Sequence, residues 1–278
     1  MTPTGIVVGF DGSPDAEQAV AWAAREARAR HCPLTVCFAA EHADEASPAV
    51  PAEPGRLRPG QDVVARGLRL ARDVLCSDQV SPLLEAGSPA AVLCGRAAGA
   101  EMTVLGFRGR EGLPGLPLGS VSLKVAAHAP GRVVVVRGHW RPVPGQHPWP
   151  IVVGCDGSSG SLAAVEFAFE EAALRDACVV AVCALADSPG LLGGARQIRT
   201  DFEEIMSAQE SDHPEVTVSK QVCEGSARSA LLRAARDAQL LVLGARGRGG
   251  LPGMPLGSAS VALLSHAACP VAIAHADD

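Results

Sequence analysis

The sequence predicts two tandem α/β domains, each an open, doubly wound, Rossmann-like sheet of five mainly parallel strands with helices on both faces. Its 278 residues suffice for two domains of roughly 100–200 residues each. Two segments occur twice, and within each copy short apolar runs alternate with longer amphipathic stretches. These runs are rich in Val, Ile and Leu, as expected of parallel strands buried on both faces.

The repeats define the two domains. The segment 6–13 returns at 151–158 with seven of eight residues identical, and 104–129 returns at 242–267 with 17 identities in 26 positions. Two repeats of this length indicate two copies of one fold. We place domain 1 at 1–138, a proline-rich linker at 139–150 and domain 2 at 151–278. A loop rich in Pro, Ala, Glu and Gly, at 42–60, is predicted to be mobile.

In the first copy, hydrophobic patterning predicts five strands and four helices. The predicted strands are Ile6–Gly9, Leu34–Phe38, Ser81–Glu85, Met102–Leu105 and Arg132–Val136. The predicted helices are Asp15–Arg30, Asp62–Cys76, Pro89–Gly99 and Ser120–His128.

The second copy repeats this order. Its predicted strands are Ile151–Gly154, Cys178–Ala184, Thr217–Cys223, Leu240–Leu243 and Val271–Ala274. Its predicted helices are Ser161–Asp176, Gln197–Gln209, Ala227–Gln239 and Ser258–His266.

Composition and charge exclude several function classes. With 24 basic and 30 acidic residues the formal charge is -6, which argues against bulk nucleic-acid binding. No apolar run approaches a membrane span and no signal peptide is visible, so we expect a cytoplasmic protein without a membrane partner. Nine cysteines without a C-x-x-C pair fit neither a disulfide framework nor a zinc site.

Both repeated segments fall where doubly wound sheets bind ligands, beyond the carboxyl ends of the strands. Asp11 and Asp156 follow the first strand of each copy. A glycine loop follows the fourth strand and leads into the last helix. If strands one and four are neighbours, each Asp shares a crevice with one loop.

The loop reads G-x2-G-x9-G-S in both copies. Glycine lets the backbone approach a ligand, and a helix N-terminus offers N–H groups and positive dipole to a phosphate. The loop therefore suits a polyphosphate, and the short acid suits a ribose hydroxyl. The loop arginines could screen phosphate charge; they are Arg108, Arg110, Arg246 and Arg248.

Structural explanations exist for the same residues. Asp-Gly-Ser before a helix is a common turn and cap, and Gly-Ser is a common helix N-cap. Their joint duplication at one sheet edge favours a nucleotide site. Neither a Walker motif nor the G-x-G-x-x-G fingerprint of dehydrogenases is present. His128 and His266, each near the end of a last helix, are expected to cap carbonyls there.

These motifs resemble those of the universal stress proteins, in their ATP-binding branch, over nearly the whole chain. The resemblance implies a fold like that of the adenine nucleotide alpha hydrolases, with ATP and Mg²⁺ as ligand. It implies that Asp meets the ribose, the loop and its serines hold phosphate, and a second-strand residue meets adenine. The implied ligand-binding residues are Asp11, Phe38, Gly106, Gly109, Gly119, Ser120 and Ser122, with Asp156, Cys183, Gly244, Gly247, Gly257, Ser258 and Ser260.

The resemblance also implies homodimers or domain pairs joined through the last strands, Val133–Val136 and Val271–Ala274. Phe107 stands after the first loop glycine where Ala245 stands in the second copy, so we expect domain 2 to bind ATP at least as tightly as domain 1.

Three function classes remain open. They are a stress-response regulator that senses ATP and recruits a regulatory protein partner, a slow ATPase or adenylyl transferase, and an interaction protein that binds no nucleotide. We predict no catalytic residue and no protein metal site.

Overall fold

The computed structural model describes residues 5–40, 58–110, 118–137, 149–185, 192–248 and 253–276. Contacts divide the chain into two units, Met1–Gly138 and His139–Asp278. Most of the predicted loop at 42–60 and most of the linker at 139–150 lie outside the described residues.

The first unit has five parallel strands in the order β3-β2-β1-β4-β5. Its strands are β1 (Ile6–Gly9), β2 (Leu34–Ala40), β3 (Val80–Ala86), β4 (Met102–Gly106) and β5 (Arg132–Val136). Its helices are α1 (Pro14–Arg30), α2 (Arg58–Arg72), α3 (Pro89–Ala97) and α4 (Ser120–His128). The α1 and α2 helices pack together on one face, and α3 packs with α4 on the other.

The second unit repeats this architecture, with strand order β8-β7-β6-β9-β10 and all pairs parallel. Its strands are β6 (Ile151–Gly154), β7 (Val179–Leu185), β8 (Val218–Glu224), β9 (Leu240–Gly244) and β10 (Val271–Ala274). Its helices are α5 (Ser159–Arg175), α6 (Leu192–Asp212), α7 (Ala227–Ala234) and α8 (Ser258–His266). The predicted fold class is confirmed.

Local chemistry explains where the first helix of each unit begins and ends. The Ser13 hydroxyl accepts the Ala16 N–H at 3.2 Å, and Ser158 accepts the Ser161 N–H in the same way. At the other end, His31 and Asp176 adopt left-handed φ angles of 54° and 51°. Each closes its helix by donating its backbone N–H to carbonyls of the last turn.

The structure corrects the predicted bounds of three helices. The α6 helix runs from Leu192 to Asp212 rather than from Gln197 to Gln209. The α2 helix runs from Arg58 to Arg72 rather than from Asp62 to Cys76, so the last three residues of the predicted 42–60 loop are helical. Gly60, predicted to lie in the loop, belongs to this helix; a Cβ there would lie 2.9 Å from the Phe38 ring, so glycine lets the start of α2 pack against β2. The α7 helix ends at Ala234, and a 3-10 turn, not a continued α-helix, follows it.

Candidate functional site

The carboxyl ends of the first and fourth strands meet in each unit. Ile6 pairs with Met102 and Val8 with Val104, and in the second unit Ile151 pairs with Leu240. The predicted adjacency of these strands is confirmed. It places the turn after β1 beside the glycine loop after β4, and the turn after β6 beside the loop after β9.

An aspartate joins this turn to the loop in both units. Asp11 accepts the Ser13 N–H at 2.9 Å with one carboxylate oxygen and the Arg110 N–H at 2.8 Å with the other. Asp156 accepts the Ser158 N–H at 3.0 Å and the Arg248 N–H at 2.8 Å, and the Ser158 hydroxyl donates to it at 2.6 Å. The structural explanation of Asp-Gly-Ser is therefore correct for the turn. The hydrogen bond from the loop arginine's N–H, about a hundred residues away, is not part of that turn. It holds the turn and the glycine loop in place relative to each other.

The first two loop glycines are required by packing inside the protein. A Cβ at Gly106 would lie 2.6 Å from the backbone carbon of Asp15, and one at Gly244 would lie 2.5 Å from that of Gly160. A Cβ at Gly109 would lie 2.7 Å from the Asp11 carboxylate, and Gly247 faces Asp156 equally closely. These glycines let the loop approach the first helix and the aspartate.

The third loop glycine differs between the units, and only at Gly257 does packing give no reason for it. A Cβ at Gly119 would lie 3.2 Å from the Phe107 oxygen, closer than an ordinary contact, so packing already disfavours a side chain there. Gly119 and Gly257 have ordinary φ angles of −65° and −69°. A Cβ at Gly257 would lie 3.7 Å from the Ala245 oxygen and 3.8 Å from the Gly247 nitrogen, which are normal contacts. Such a methyl would cover the Gly247 nitrogen. A ligand that approaches this nitrogen would thus require glycine at 257, whereas the fold alone does not.

The loop closes onto the start of the last helix. The Gly119 N–H donates to the Phe107 oxygen at 3.0 Å, and the Gly257 N–H donates to the Ala245 oxygen at 2.8 Å. Because glycine is the N-cap residue, no side chain can cap the helix from that position. Ser120 and Ser258, the first helical residues, are exposed. Each crevice therefore presents the first N–H groups of a helix beside a glycine-rich backbone, which is an arrangement that suits an anion.

Ser122 and Ser260 have internal partners. The Ser122 hydroxyl donates to the Gly106 oxygen at 2.7 Å, and Ser260 donates to the Gly244 oxygen at 3.0 Å. Both serines are buried. They connect the last helix to the end of the fourth strand and so position the loop.

The two residues predicted to meet adenine differ in accessibility. Phe38 is partly buried beside Gly60 of α2, whereas Cys183 is fully buried in β7. Burial raises the pKa of the Cys183 thiol to about 11, with smaller contributions from Cys155 and Asp156. The thiol is therefore neutral, and it behaves as a small apolar group of the core.

The side chains around the two crevices are not equivalent. In the first unit, Asp15 accepts the Arg108 N–H at 3.0 Å, and the Arg108 guanidinium lies 5.6 Å from the centre of the Phe107 ring. The Phe107 ring is buried and carries Arg137 at 3.7 Å on the β5 side. Arg108, which is predicted to screen phosphate charge, thus lies over an aromatic ring. Its backbone N–H already donates to the Asp15 carboxylate.

In the second unit, Arg248 pairs with Asp201 of α6 and also donates to the Gly157 oxygen at 3.4 Å. Hydrogen bonds from Gln197 and Arg248 lower the pKa of Asp201. Asp15 and Asp201 are not among the site residues that the sequence predicts. The only signal was the difference between the two copies, in which Gly160 stands where the first copy has Asp15.

His128 and His266 contact the i−4 carbonyls, those of Lys124 and Ala262, at 2.9 and 2.8 Å. Their predicted capping role is confirmed.

Within the described ranges, no three His, Cys, Asp or Glu side chains are grouped to hold a metal ion. No helix in that part of the chain is both long and apolar enough to span a membrane.

Comparison with known proteins assigns the chain to a family. The model of the universal stress protein family matches residues 4–137 and again 150–275. The chain belongs to the universal stress protein family. Universal stress proteins Rv2005c and Rv2623 of Mycobacterium tuberculosis are each 36% identical to it, over 97% of this chain and 96% of theirs.

Solved structures show the same fold. A universal stress protein from Archaeoglobus fulgidus superposes with a TM-score of 0.71 at 16% identity, covering 99% of this chain and 97% of its own. A protein from Pseudomonas aeruginosa, described as a putative universal stress protein, superposes with a TM-score of 0.67 at 16% identity, covering 99% of this chain and 94% of its own. At this identity the likeness concerns the fold alone.

Proposed function

We propose that this universal stress protein binds ATP, with Mg²⁺, in its glycine-loop crevices and acts as a nucleotide-responsive regulator. The space beside Gly257 supports this most strongly. A Cβ there would make only ordinary contacts with the protein, yet it would lie against the Gly247 nitrogen beside the N-terminus of the last helix. A phosphate group that approaches this nitrogen would explain why residue 257 is a glycine, whereas packing within the fold would not.

The polyphosphate would lie on the third glycine and the following serine, Gly119–Ser120 in one unit and Gly257–Ser258 in the other. There it would accept N–H groups of the last helix, where the helix dipole favours negative charge. Ser122 and Ser260 would support the loop from beneath, because their hydroxyls donate to its first carbonyl. Arg108, Arg110, Arg246 and Arg248 would supply positive charge.

Asp11 and Asp156 would accept a ribose hydroxyl with the lone pairs that their present hydrogen bonds leave free. A carboxylate oxygen can accept more than one hydrogen bond, so the contact to the loop and the contact to ribose are compatible. Adenine would lie towards the second strand, beside Phe38 in the first unit, and in the second unit near the backbone of Cys183, whose side chain is buried in the core. Mg²⁺ would be held mainly by the phosphates, as is usual for this ion.

The crevices suit binding better than rapid turnover. The carboxylate nearest the loop accepts backbone N–H groups through both oxygens, so it is a positioning group and not a poised general base. Nucleotide occupancy would then act on the shape of the loop and on the last helix. We extend the proposal to homodimer pairing through the last strands and to recruitment of a regulatory protein partner.

The first test is the nucleotide content of the purified full-length protein. The protein is denatured and the released nucleotide is measured by chromatography, before and after incubation with Mg-ATP. We expect ATP, lost when Gly119→Ala and Gly257→Ala are combined. Mainly ADP with steady turnover would favour an ATPase, and no nucleotide after incubation would leave a protein that acts through its surfaces. A matched calorimetric titration of ATP gives the affinity.

A further inference from the structure

Asp15 places a negative charge on the glycine loop of the first unit. The residue lies in the first turn of α1, and its carboxylate accepts the Arg108 N–H at 3.0 Å. Arg108 follows Phe107 in the same stretch of loop that faces Gly119, because a Cβ at Gly119 would lie 3.5 Å from the Arg108 Cα and 3.6 Å from the Gly109 nitrogen. The acid is therefore bonded to the backbone that borders the anion-binding space.

Gly160 stands at the corresponding place in the second unit. A Cβ there would lie 2.8 Å from the Arg246 oxygen and 3.7 Å from the Arg246 nitrogen. Gly160 thus faces the equivalent stretch of loop with no side chain and no charge. The backbone that bonds to a carboxylate in the first unit faces a glycine at the corresponding position in the second.

A second difference acts in the same direction. The Arg108 guanidinium lies over the Phe107 ring, which Arg137 also covers. Ala245 replaces that ring in the second unit, so Arg246 has no aromatic group at this position to draw it away. The second crevice has an acid of its own, Asp201, but that acid lies on α6 and pairs with Arg248. The backbone of the second loop accordingly carries less negative charge.

We propose that Asp15 determines which crevice takes the nucleoside triphosphate. Its carboxylate occupies a loop N–H and repels phosphate in domain 1, and Gly160 leaves domain 2 as the high-affinity site. Two negative charges a few ångströms apart near a protein surface repel each other enough to weaken phosphate binding by about tenfold or more. This inference rests on the proposed function, and it assigns unequal roles to two crevices that share the same loop motif.

The test is a calorimetric titration of the full-length chain with Mg-ATP. We expect one tight site in the unaltered protein, weakened about tenfold or more by Gly257→Ala and retained in Gly119→Ala. Asp15→Gly, which copies the second unit, should tighten the weak site by about tenfold or more. Asp15→Asn should tighten it less, because its amide oxygen still accepts the Arg108 N–H without the charge.

The control variant is Asp73→Asn, which removes one exposed acid just beyond the C-terminal end of α2, and it should leave both affinities unchanged. Thermal unfolding without ligand shows that each variant is folded. Loss of the tight site in Gly119→Ala, or a weak site unaffected by both Asp15 variants, would overturn the inference and leave ATP binding intact. Absence of ATP binding in every protein would overturn the proposed function itself.

Discussion

Replacement of Gly257 by alanine separates a role in ligand binding from a role in folding. The residue has a φ of −69° and ψ of 151°, which alanine adopts without strain. The added methyl would contact the Ala245 oxygen, the Arg246 Cα and the Gly247 nitrogen at 3.7 to 3.8 Å. The structure therefore accommodates alanine, but the methyl occupies the approach to the Gly247 nitrogen.

Two opposing terms set the effect on stability. Alanine restricts the unfolded chain and stabilises by about 0.4–1 kcal/mol. It is a poorer N-cap residue than glycine, which costs on the order of 0.5–1 kcal/mol. The terms nearly cancel, so the free energy of unfolding should change by less than about 1 kcal/mol, or roughly 4 °C in the melting temperature of a domain this size. Lost phosphate contact should weaken ATP binding about tenfold or more, since one charge-assisted hydrogen bond contributes roughly 1.5–3 kcal/mol.

Calorimetric titration with Mg-ATP and thermal unfolding of the ligand-free protein measure the two effects separately. Gly247→Ala is the matched comparison, because its Cβ would collide with Asp156 and disturb the bond from Arg248 to that carboxylate. It should lose both stability and affinity. If Gly257→Ala binds ATP as tightly as the unaltered protein, phosphate does not approach this loop and the reasoning fails. A large loss of stability would show instead that the fold requires the glycine.

Three further predictions concern single side chains. Asp201→Asn should free the loop arginine and tighten ATP binding up to about fivefold in a titration, as expected for a surface ion pair, while Glu204→Gln on the same helix should not. Ser122→Ala should lower the free energy of unfolding in urea by about 1–3 kcal/mol, since a buried hydrogen bond is lost; an equal effect of the exposed Ser120→Ala would contradict this. Burial raises the pKa of Cys183 to about 11 from an ordinary 9.0, so the folded chain holds that proton more tightly than the unfolded chain. Stability should therefore fall as the pH rises from 9 towards 11, and less steeply in Cys183→Ala; identical pH profiles by urea unfolding would refute the assignment.

The candidate site was accessible from the sequence because the chain repeats it. Asp11 and the glycine loop are separated by almost a hundred residues, yet the duplicated motif and the rule for doubly wound sheets placed them at one edge. The structure adds the direct bond between the Asp11 carboxylate and the Arg110 N–H. A sequence pattern cannot reveal such a bond, because it depends on how closely two backbones approach.

The roles of individual loop residues were less accessible. Ser122, three residues after the last glycine, is predicted to contact phosphate, and the structure adds that its hydroxyl donates to the Gly106 oxygen. Gly60 was interpreted as part of a loop because glycine usually marks turns, whereas here it admits the Phe38 ring. In both cases the deciding factor is a contact with a residue distant in the sequence.

The sequence by itself determined the two-domain organisation, the order and type of the elements, and the edge of each sheet where the loops lie. Hydrophobic periodicity and internal repetition are local properties of the chain, so these features could be predicted from it. Only the tertiary structure decided that the first two glycines of the loop serve packing while Gly257 does not, and that the Asp15 carboxylate bonds to one loop while Gly160 faces the other without a side chain. Those distinctions arise from distances of a few ångströms between segments far apart in the chain, which packing alone fixes.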